Sequence, residues 1–234
     1  MGVSRMALVA GLLAGGLSSA HAVVAVPDSV VYTDAASFLS DTGITGFESF
    51  ESLAGAPRGS SAVGVAAFSI QPVGLAQLGV QTGPSTPNEG YGSQATHGTQ
   101  YLLSYLPPDP DTGAYRAPGT LRFDFKTPVT AFGIHLIDLG ETVGQVVVQT
   151  DQGGLSGGQT VLNFSGNLNN GSVSFFGVTQ AQAFRSLSLT VTGLDEAYGL
   201  DQAYVLSVPE PQQAVLMAAG LLPLLIAARR RRAS

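Results

Sequence analysis

The sequence predicts an all-β fold, an antiparallel β-sandwich of the jelly-roll type, and three observations support this prediction. Apolar and polar residues alternate with a period of two along much of residues 23–208. Glycine, proline, asparagine and serine divide the same stretch into segments of strand length. One short segment of this stretch has helical spacing. Short strands with glycine-rich turns are typical of sandwiches and jelly rolls.

The first expected element is a short helix over residues 34–41, with Thr33 as its cap. Residues 120–125 alternate between apolar and polar, and residues 132–136 repeat the pattern after a turn at Pro128. We therefore expect two separate strands on either side of that proline.

More strands follow towards the C-terminal end of the body. They are expected at residues 143–150, 160–165, 172–178, 184–192 and 203–208. The Asn170-Gly171 pair predicts a hairpin between the two strands that flank it. Residues 84–98 and 107–118 are rich in Gly, Pro, Ser, Asn and Asp, so we expect them to form long surface loops, where binding sites often lie.

Residues 1–22 have the pattern of a secretory signal peptide. Arg5 precedes an apolar stretch over residues 6–17, and Ala20 and Ala22 form the small-x-small pattern that signal peptidase accepts. We therefore expect cleavage before Val23 and export of the remaining chain. The alternative is a short N-terminal membrane anchor.

Residues 209–234 contain three parts in a fixed order. The first is Pro209, Glu210 and Pro211, the second is an uncharged, mostly apolar run over residues 212–228, and the third is Arg229, Arg230, Arg231 and Arg232. The run predicts a transmembrane helix whose arginines stay on the cytoplasmic side. Its most apolar part, residues 214–228, covers only about 22 Å as a helix, less than the hydrocarbon core of about 30 Å. We therefore expect a marginal anchor.

This order of Pro-Glu-Pro, apolar helix and arginine cluster resembles the PEP-CTERM sorting signal of Gram-negative bacteria, which the membrane protease exosortase reads. The resemblance covers residues 208–234. It implies transient anchoring in the inner membrane, processing near residues 209–211, and release or transfer to the cell surface or the exopolysaccharide and biofilm matrix. The alternative is a permanent tail anchor.

The body between the two signals, residues 23–208, is acidic and contains no cysteine. It has fifteen Asp and Glu residues against five Lys and Arg residues, a net charge of −10. Its basic residues are scattered, and the two nearest in sequence are Arg122 and Lys126. Nucleic acid is therefore excluded as an expected partner. A length of 186 residues suits one domain.

Three short segments of the body, residues 46–48, 127–133 and 199–204, resemble the jelly-roll bodies of many PEP-CTERM proteins, which are similar in layout to carbohydrate-binding modules. The resemblance implies a structural calcium ion shared by Glu48 and Asp201. The wider candidate set of oxygen ligands is Glu48, Glu51, Asp195, Glu196 and Asp201. The alternative is that these carboxylates are only solvated.

Four of the seven tyrosines lie between residues 91 and 115, interleaved with Gln and Asp. These are Tyr91, Tyr101, Tyr105 and Tyr115. Aromatic faces beside hydrogen-bonding side chains suit a glycan surface, so the four are candidate glycan-binding residues. The alternative is that residues 101–105 form a strand whose aromatic rings belong to the core.

Motifs for catalysis are missing from the body. His97 and His135 are its two histidines, and no Gly-x-Ser-x-Gly, His-Glu-x-x-His or phosphate-binding motif occurs. His135 lies between two apolar residues, so we expect it to face solvent. We expect a non-catalytic surface or matrix protein that binds glycan or protein.

Two alternatives stay open at this point. One is an extracellular glycan hydrolase, which needs a carboxylate pair such as Asp109 and Asp111 could supply. The other is a self-associating structural protein in which the β-branched run at residues 143–148 pairs edge to edge.

Overall fold

The computed structural model describes residues 28–53, 59–60, 62–74, 76–83, 95–105, 119–139, 143–166, 169, 171–192 and 197–208. The elements are β1 (Ser29–Tyr32), α1 (Ala35–Thr42), β2 (Val63–Gly64), β3 (Phe68–Val73), β4 (Gln77–Thr82), β5 (Gln100–Tyr105), β6 (Gly119–Ile137), β7 (Val143–Thr150), β8 (Gln159–Ser165), β9 (Val173–Thr192) and β10 (Tyr198–Ser207). Two 3-10 helical turns lie at Glu51–Leu53 and Gly153–Leu155. Every strand pairing in this part of the chain is antiparallel. The prediction of an antiparallel β fold is confirmed.

Two long strands, β6 and β9, belong to both halves of the sheet. The start of β6 pairs with β3, and its end pairs with β10, while β9 follows its other side along both halves. Register shifts between Asp124 and Val129 mark the change of partner. The first half therefore has the order β2-β3-β6-β9-β7-β8, and the second has the order β4-β5-β10-β6-β9-β1.

The two halves face each other across a core rich in phenylalanine. The ring centroids of Phe68, Phe123 and Phe125, from the first half, lie 6.0, 5.0 and 5.4 Å from that of Phe132, in the second half. All four rings are buried. Inner faces that interdigitate in this way are consistent with a β-sandwich, and each buried ring stabilises the fold by about 1.5–3 kcal/mol.

Helix α1 covers part of the outer face of the second half. Its Phe38 ring lies over Gly133 and Gly177, which are cross-strand partners on β6 and β9. Cβ atoms on these glycines would lie 2.9 and 2.7 Å from the Phe38 ring. The two glycines therefore form a hollow for the ring, and β6 and β9 are buried on both faces here.

The helix begins one residue later than expected. The side chain of Asp34, rather than Thr33, accepts a hydrogen bond of 2.8 Å from the Ser37 amide and caps the first turn. Gly43, in the left-handed conformation at φ 67°, ends the helix.

The expected turn at Pro128 is replaced by a continuous strand. β6 passes through Pro128 at the point where it changes partner, so the missing N–H of proline interrupts no regular ladder. The Pro128 carbonyl accepts a hydrogen bond of 2.9 Å from Val208, just after β10. Residues 172–178 and 184–192 likewise form one strand, β9.

The strand pairing shows that two expectations were wrong, the Asn-Gly hairpin and an open edge at residues 143–148. A turn forms, with the Ser172 amide 3.0 Å from the Asn169 carbonyl, but β8 pairs with β7 and not with β9. β7 is hydrogen-bonded to β8 on one side and to β9 on the other. The run at residues 143–148 therefore has no open edge with which to pair a second copy.

The proposed targeting segments lie outside the described residues. This applies to Ala20 and Ala22, to residues 209–211, to the apolar run at 212–228 and to the arginines at 229–232. Within the described ranges, no helix has the length and hydropathy that crossing a membrane requires. The signal peptide and the sorting signal stay predictions.

Candidate functional site

Asp201 on β10 is fully buried and holds the segment that precedes β5. Its Oδ2 accepts hydrogen bonds from the Thr96 amide at 2.7 Å, the Thr96 hydroxyl at 2.8 Å and the His97 amide at 2.9 Å. Its Oδ1 accepts one from the Gln202 amide at 2.7 Å. Hydrogen bonds to a charged acceptor are worth about 1.5–3 kcal/mol each, so this single side chain fixes residues 96 and 97.

Glu51 holds the other end of the same segment. Its Oε1 accepts hydrogen bonds from the amides of Thr99 and Gln100 at 2.8 and 2.7 Å. These backbone donors, Gln100 first, hold the pKa of the Glu51 carboxyl below its ordinary value. Gly98 between them has φ 69°, and a Cβ there would overlap the Glu51 carboxylate. The chain at residues 96–100 is therefore fixed by two carboxylates and one glycine, and we call it the braced loop.

A β-bulge in β10 lies beside the braced loop. Asp201 pairs with His135 and Tyr204 pairs with Gly133, so three steps along β10 oppose two along β6. Gln202, within the bulge, has φ 48°, which is uncommon for a residue other than glycine. Bulges redirect side chains and occur often next to functional sites.

The braced loop presents His97 against the ring of Phe47. Both side chains are exposed, Phe47 to 41%, and their ring centroids lie 4.9 Å apart at an interplanar angle of 77°. Tyr204 supports Phe47 from below at 5.6 Å and is itself buried. The next residue, Glu48, exchanges two backbone hydrogen bonds of 2.8 and 2.9 Å with Ala203. We call Phe47 and His97 the ring platform.

A shallow groove of about 200 Å³ adjoins the ring platform. Phe47 and Glu48 form one side, Ala66 and Ala67 form another, and Val205 lies on β10 below. The groove is lined mainly by apolar atoms, and Glu48 is the charged residue among those that line it. An exposed ring pair next to such a groove can stack against a planar or weakly polar ligand.

The aromatic contacts continue from the ring platform across the sheet. Tyr204 contacts His135 at 6.0 Å, and His135 contacts Phe175 at 5.1 Å. Phe175 in turn contacts Phe38 at 5.5 Å. His135 is therefore half-buried among rings, and the expectation that it faces solvent is wrong. Burial lowers its pKa, an effect that the nearby Asp201 partly offsets.

The structure corrects part of the tyrosine prediction. Tyr101 has no exposed surface and packs in a cluster with Leu103, Ile137 and Ala197, so its ring cannot stack on a sugar. Tyr105 is partly buried against the same cluster. Tyr91 and Tyr115 lie outside the described residues, and their place in a glycan site stays a prediction.

The acidic residues expected to bind calcium do converge. Glu48 pairs with Ala203, and Glu51 and Asp201 hold opposite ends of the braced loop. Their oxygens, however, accept N–H and O–H groups: four on Asp201, three on Glu51 and one, from Phe50, on Glu48. No group of three or more His, Cys, Asp or Glu positioned for a metal occurs among the described residues. The described carboxylates thus act as acceptors for the loop, and a calcium ion shared by Glu48, Asp195 and Asp201 stays a prediction.

The remaining acidic candidates, Asp195 and Glu196, lie outside the described residues, as do Asp109 and Asp111 of the hydrolase alternative. Calcium binding by the first pair stays a prediction. Sequence reasoning did not select Phe47. Phe47 entered it only within residues 46–48, the segment noted for its jelly-roll resemblance, and the aromatic residue beside an acidic one there was the signal for a binding role.

Comparison with known proteins gives structural likeness without sequence likeness. The chain matches no protein-family model and no curated protein. It is similar to the C-terminal family 22 carbohydrate-binding module of Clostridium thermocellum Xyn10B, with 11% identity over 71% of this chain and 95% of that one, at a TM-score of 0.37. It is also similar to the enzymatically active domain of tailspike protein 4 from bacteriophage CBA120, with 13% identity over 64% of this chain and 20% of that one, at a TM-score of 0.32. The fold assignment rests on the strand pairings and ring contacts of the chain itself.

Proposed function

We propose that this protein is an exported, non-catalytic surface or matrix protein whose β-sandwich binds glycan through the ring platform. The observation that carries the proposal is the exposed Phe47–His97 pair: His97 lies on the loop that two carboxylates hold in place, and Phe47 packs on the buried Tyr204. Hydrogen bonds from the loop to Asp201 and Glu51 fix the backbone that carries His97, so the position of this exposed ring beside Phe47 is set before a ligand binds.

The chemistry of the platform favours a sugar ring. The C–H face of a pyranose stacks on an aromatic ring, while its hydroxyl edge needs hydrogen-bonding groups, which Glu48 in the adjoining groove can supply. The net charge of −10 on residues 23–208 repels anionic polymers. The ligand class that fits best is therefore a neutral polysaccharide.

The route to the outside follows from the termini. Signal peptidase would remove residues 1–22, and exosortase would process the chain near residues 209–211 after brief anchoring of residues 212–228 in the inner membrane. The product would then reach the cell surface or the exopolysaccharide matrix of a Gram-negative bacterium as a jelly-roll-like module. β10 ends at Ser207, two residues before the Pro-Glu-Pro motif, so the sandwich and the processing site are adjacent.

Binding is favoured over hydrolysis by the state of the carboxylates at the platform. A glycosidase needs two carboxyl groups about 5–9 Å apart, one free to give a proton and one free to attack or to activate water. Asp201 and Glu51 instead accept several hydrogen bonds each from the loop. A reducing-sugar assay on each polysaccharide that binds the protein would expose hydrolysis.

Affinity electrophoresis of the full-length chain through gels containing dextran, galactomannan or soluble cellulose derivatives tests the proposal. We expect at least one polymer to retard the wild type, and Phe47→Ala with His97→Ala to weaken binding about tenfold, a loss of about 1.4 kcal/mol. Val143→Ala is the matched control, because Val143 is 70% exposed on β7 in the other half of the sandwich. Unchanged retardation of the double variant, or equal loss in the control, would refute the ring platform as the site.

A further inference from the structure

A larger cavity lies on the outer face of the second half, near the start of α1. Its volume is about 480 Å³, within the range of about 300–1,000 Å³ that is usual for small-molecule sites. Four separate elements contribute to its wall: the N-terminal turn of α1 with the residues before it, β6, β8 and β9. We call it the His135 cavity, after the β6 residue that lines it.

The wall of the His135 cavity combines apolar and polar groups. Phe175, Val173 and Leu162 supply the apolar part. Asp34, Thr33, Ser174 and His135 supply a carboxylate, two hydroxyl groups and an imidazole. Among the described residues that line it there is no Lys or Arg, so this part of the wall offers a phosphate or carboxylate ligand no cation to balance its charge.

The imidazole has an unused hydrogen-bonding capacity. Its Nδ1 is buried and has no hydrogen-bond partner among the described residues. A buried polar atom left without a partner is unfavourable, and such atoms in native structures often mark a place for water or a ligand. Asp34 and Ser174 add acceptor and donor capacity at the same wall.

We propose that the His135 cavity is a second binding site, for a neutral, hydroxyl-rich ligand about the size of a single sugar unit. The apolar wall takes the C–H face of such a ligand, and the carboxylate, hydroxyl and imidazole groups take its hydroxyls. The proposal is independent of the ring platform, because the two sites share no lining residue.

The test follows the imidazole resonances of His135 by nuclear magnetic resonance in the full-length chain during titration with methyl β-glucoside, methyl β-galactoside and methyl α-mannoside. We expect at least one glycoside to shift these resonances to saturation at millimolar concentration, and inorganic phosphate to leave them in place. Phe47→Ala should keep the shift, so that failure at one site is separable from failure at the other.

Two variants of the cavity itself complete the test. Ser174→Ile fills the space with a residue that suits a strand, and it should abolish the shift. Asp34→Asn keeps a good helix cap while removing the charge, and it should weaken binding several-fold even where Ser174→Ile fails to fold. No shift with any glycoside, a response to phosphate alone, or full binding in both variants would overturn the proposal.

Discussion

Replacing Asp201 by Asn tests whether this side chain organises the candidate site. The two residues have nearly the same shape, but Asn has one acceptor oxygen where Asp has two. If the amide oxygen faces the braced loop, it accepts two of the three donors from Thr96 and His97, and the NH₂ group then opposes the Gln202 amide. If the amide is reversed, the Thr96 and His97 amides oppose the NH₂ group, and the Thr96 hydroxyl can only accept from it.

At least two hydrogen bonds are therefore lost in either orientation. At about 1.5–3 kcal/mol for each bond to a charged acceptor, Asp201→Asn should lower the free energy of unfolding by at least about 3 kcal/mol. For a domain of this size, each kcal/mol lowers the melting temperature by about 2–4 °C, so we expect a drop of at least about 6 °C. Such a loss is a large part of a typical total stability of about 5–15 kcal/mol.

Urea denaturation measures the free energy, and hydrogen exchange at the Thr96 and His97 amides measures the local effect. Asp124→Asn is the matched control, because Asp124 forms a surface ion pair of 2.8 Å with Arg122, worth less than about 1 kcal/mol. We expect Asp201→Asn to accelerate exchange at both amides and the control to leave it unchanged. Equal stability of the two variants, with exchange unaltered, would refute the assignment of Asp201 as the anchor of the loop.

Two further predictions concern the outer face of the second half. Gly177→Ala should lower the free energy of unfolding by about 1–3 kcal/mol in urea denaturation, because its Cβ would lie 2.7 Å from Phe38 and 2.9 Å from Phe175. Gly64→Ala is the control, since a Cβ there meets nothing within 4 Å. An equal loss of stability in both variants would show that the two glycines are not needed to make room for Phe38. Burial lowers the pKa of His135 from 6.5, so below that pH the unfolded chain binds a proton that the native chain resists, and stability falls as the pH drops from about 6.5 through the native pKa. His135→Gln should reduce this slope between about pH 7.5 and 5.5, and a slope that does not change would rule out His135 as its source.

Local patterns predicted the strands because period-two alternation is written into consecutive residues. β7 begins and ends where alternation and β-branching place it, and residues 101–105 are indeed a strand. The pairing of those strands was not predictable in the same way. The Asn-Gly turn before β9 connects strands that lie in different halves of the sandwich. Which strands pair depends on residues far apart in the chain, and the local pattern around a turn does not contain that information.

The position of His135 shows why alternation alone did not predict its burial. Alternation indicates which side of a strand is apolar, and His135 is on the other side from Ile134 and Leu136. That other side is also covered, because two glycines on neighbouring strands leave room for Phe38 of α1. The local sequence of β6 does not indicate that a helix about a hundred residues earlier in the chain packs on this face.

The sequence predicted that the acidic residues lie near one another, but it did not predict that they accept hydrogen bonds from a loop. Glu48, Glu51 and Asp201 were expected near one another, and the structure places them around one loop. A buried or half-buried carboxylate needs compensation, which a cation or a set of N–H donors can supply. The sequence indicates that these carboxylates need compensation, but it does not indicate which groups supply it. The donors come from residues 96–100, and Thr96 is 105 positions from Asp201 in the chain.

The same carboxylates explain how a chain without cysteine can hold an exposed loop in a defined position. Residues 96–100 have neither a disulfide nor a described metal site to hold them, yet backbone donors at both ends of this segment are bound by carboxylates from distant segments. A ligand that stacks on Phe47 and His97 therefore has less loop entropy to remove on binding. If Asp201→Asn loosens the loop, glycan binding should weaken through a faster dissociation rate even though neither ring is altered. Equal dissociation rates in the variant and the wild type would separate the brace from the binding surface.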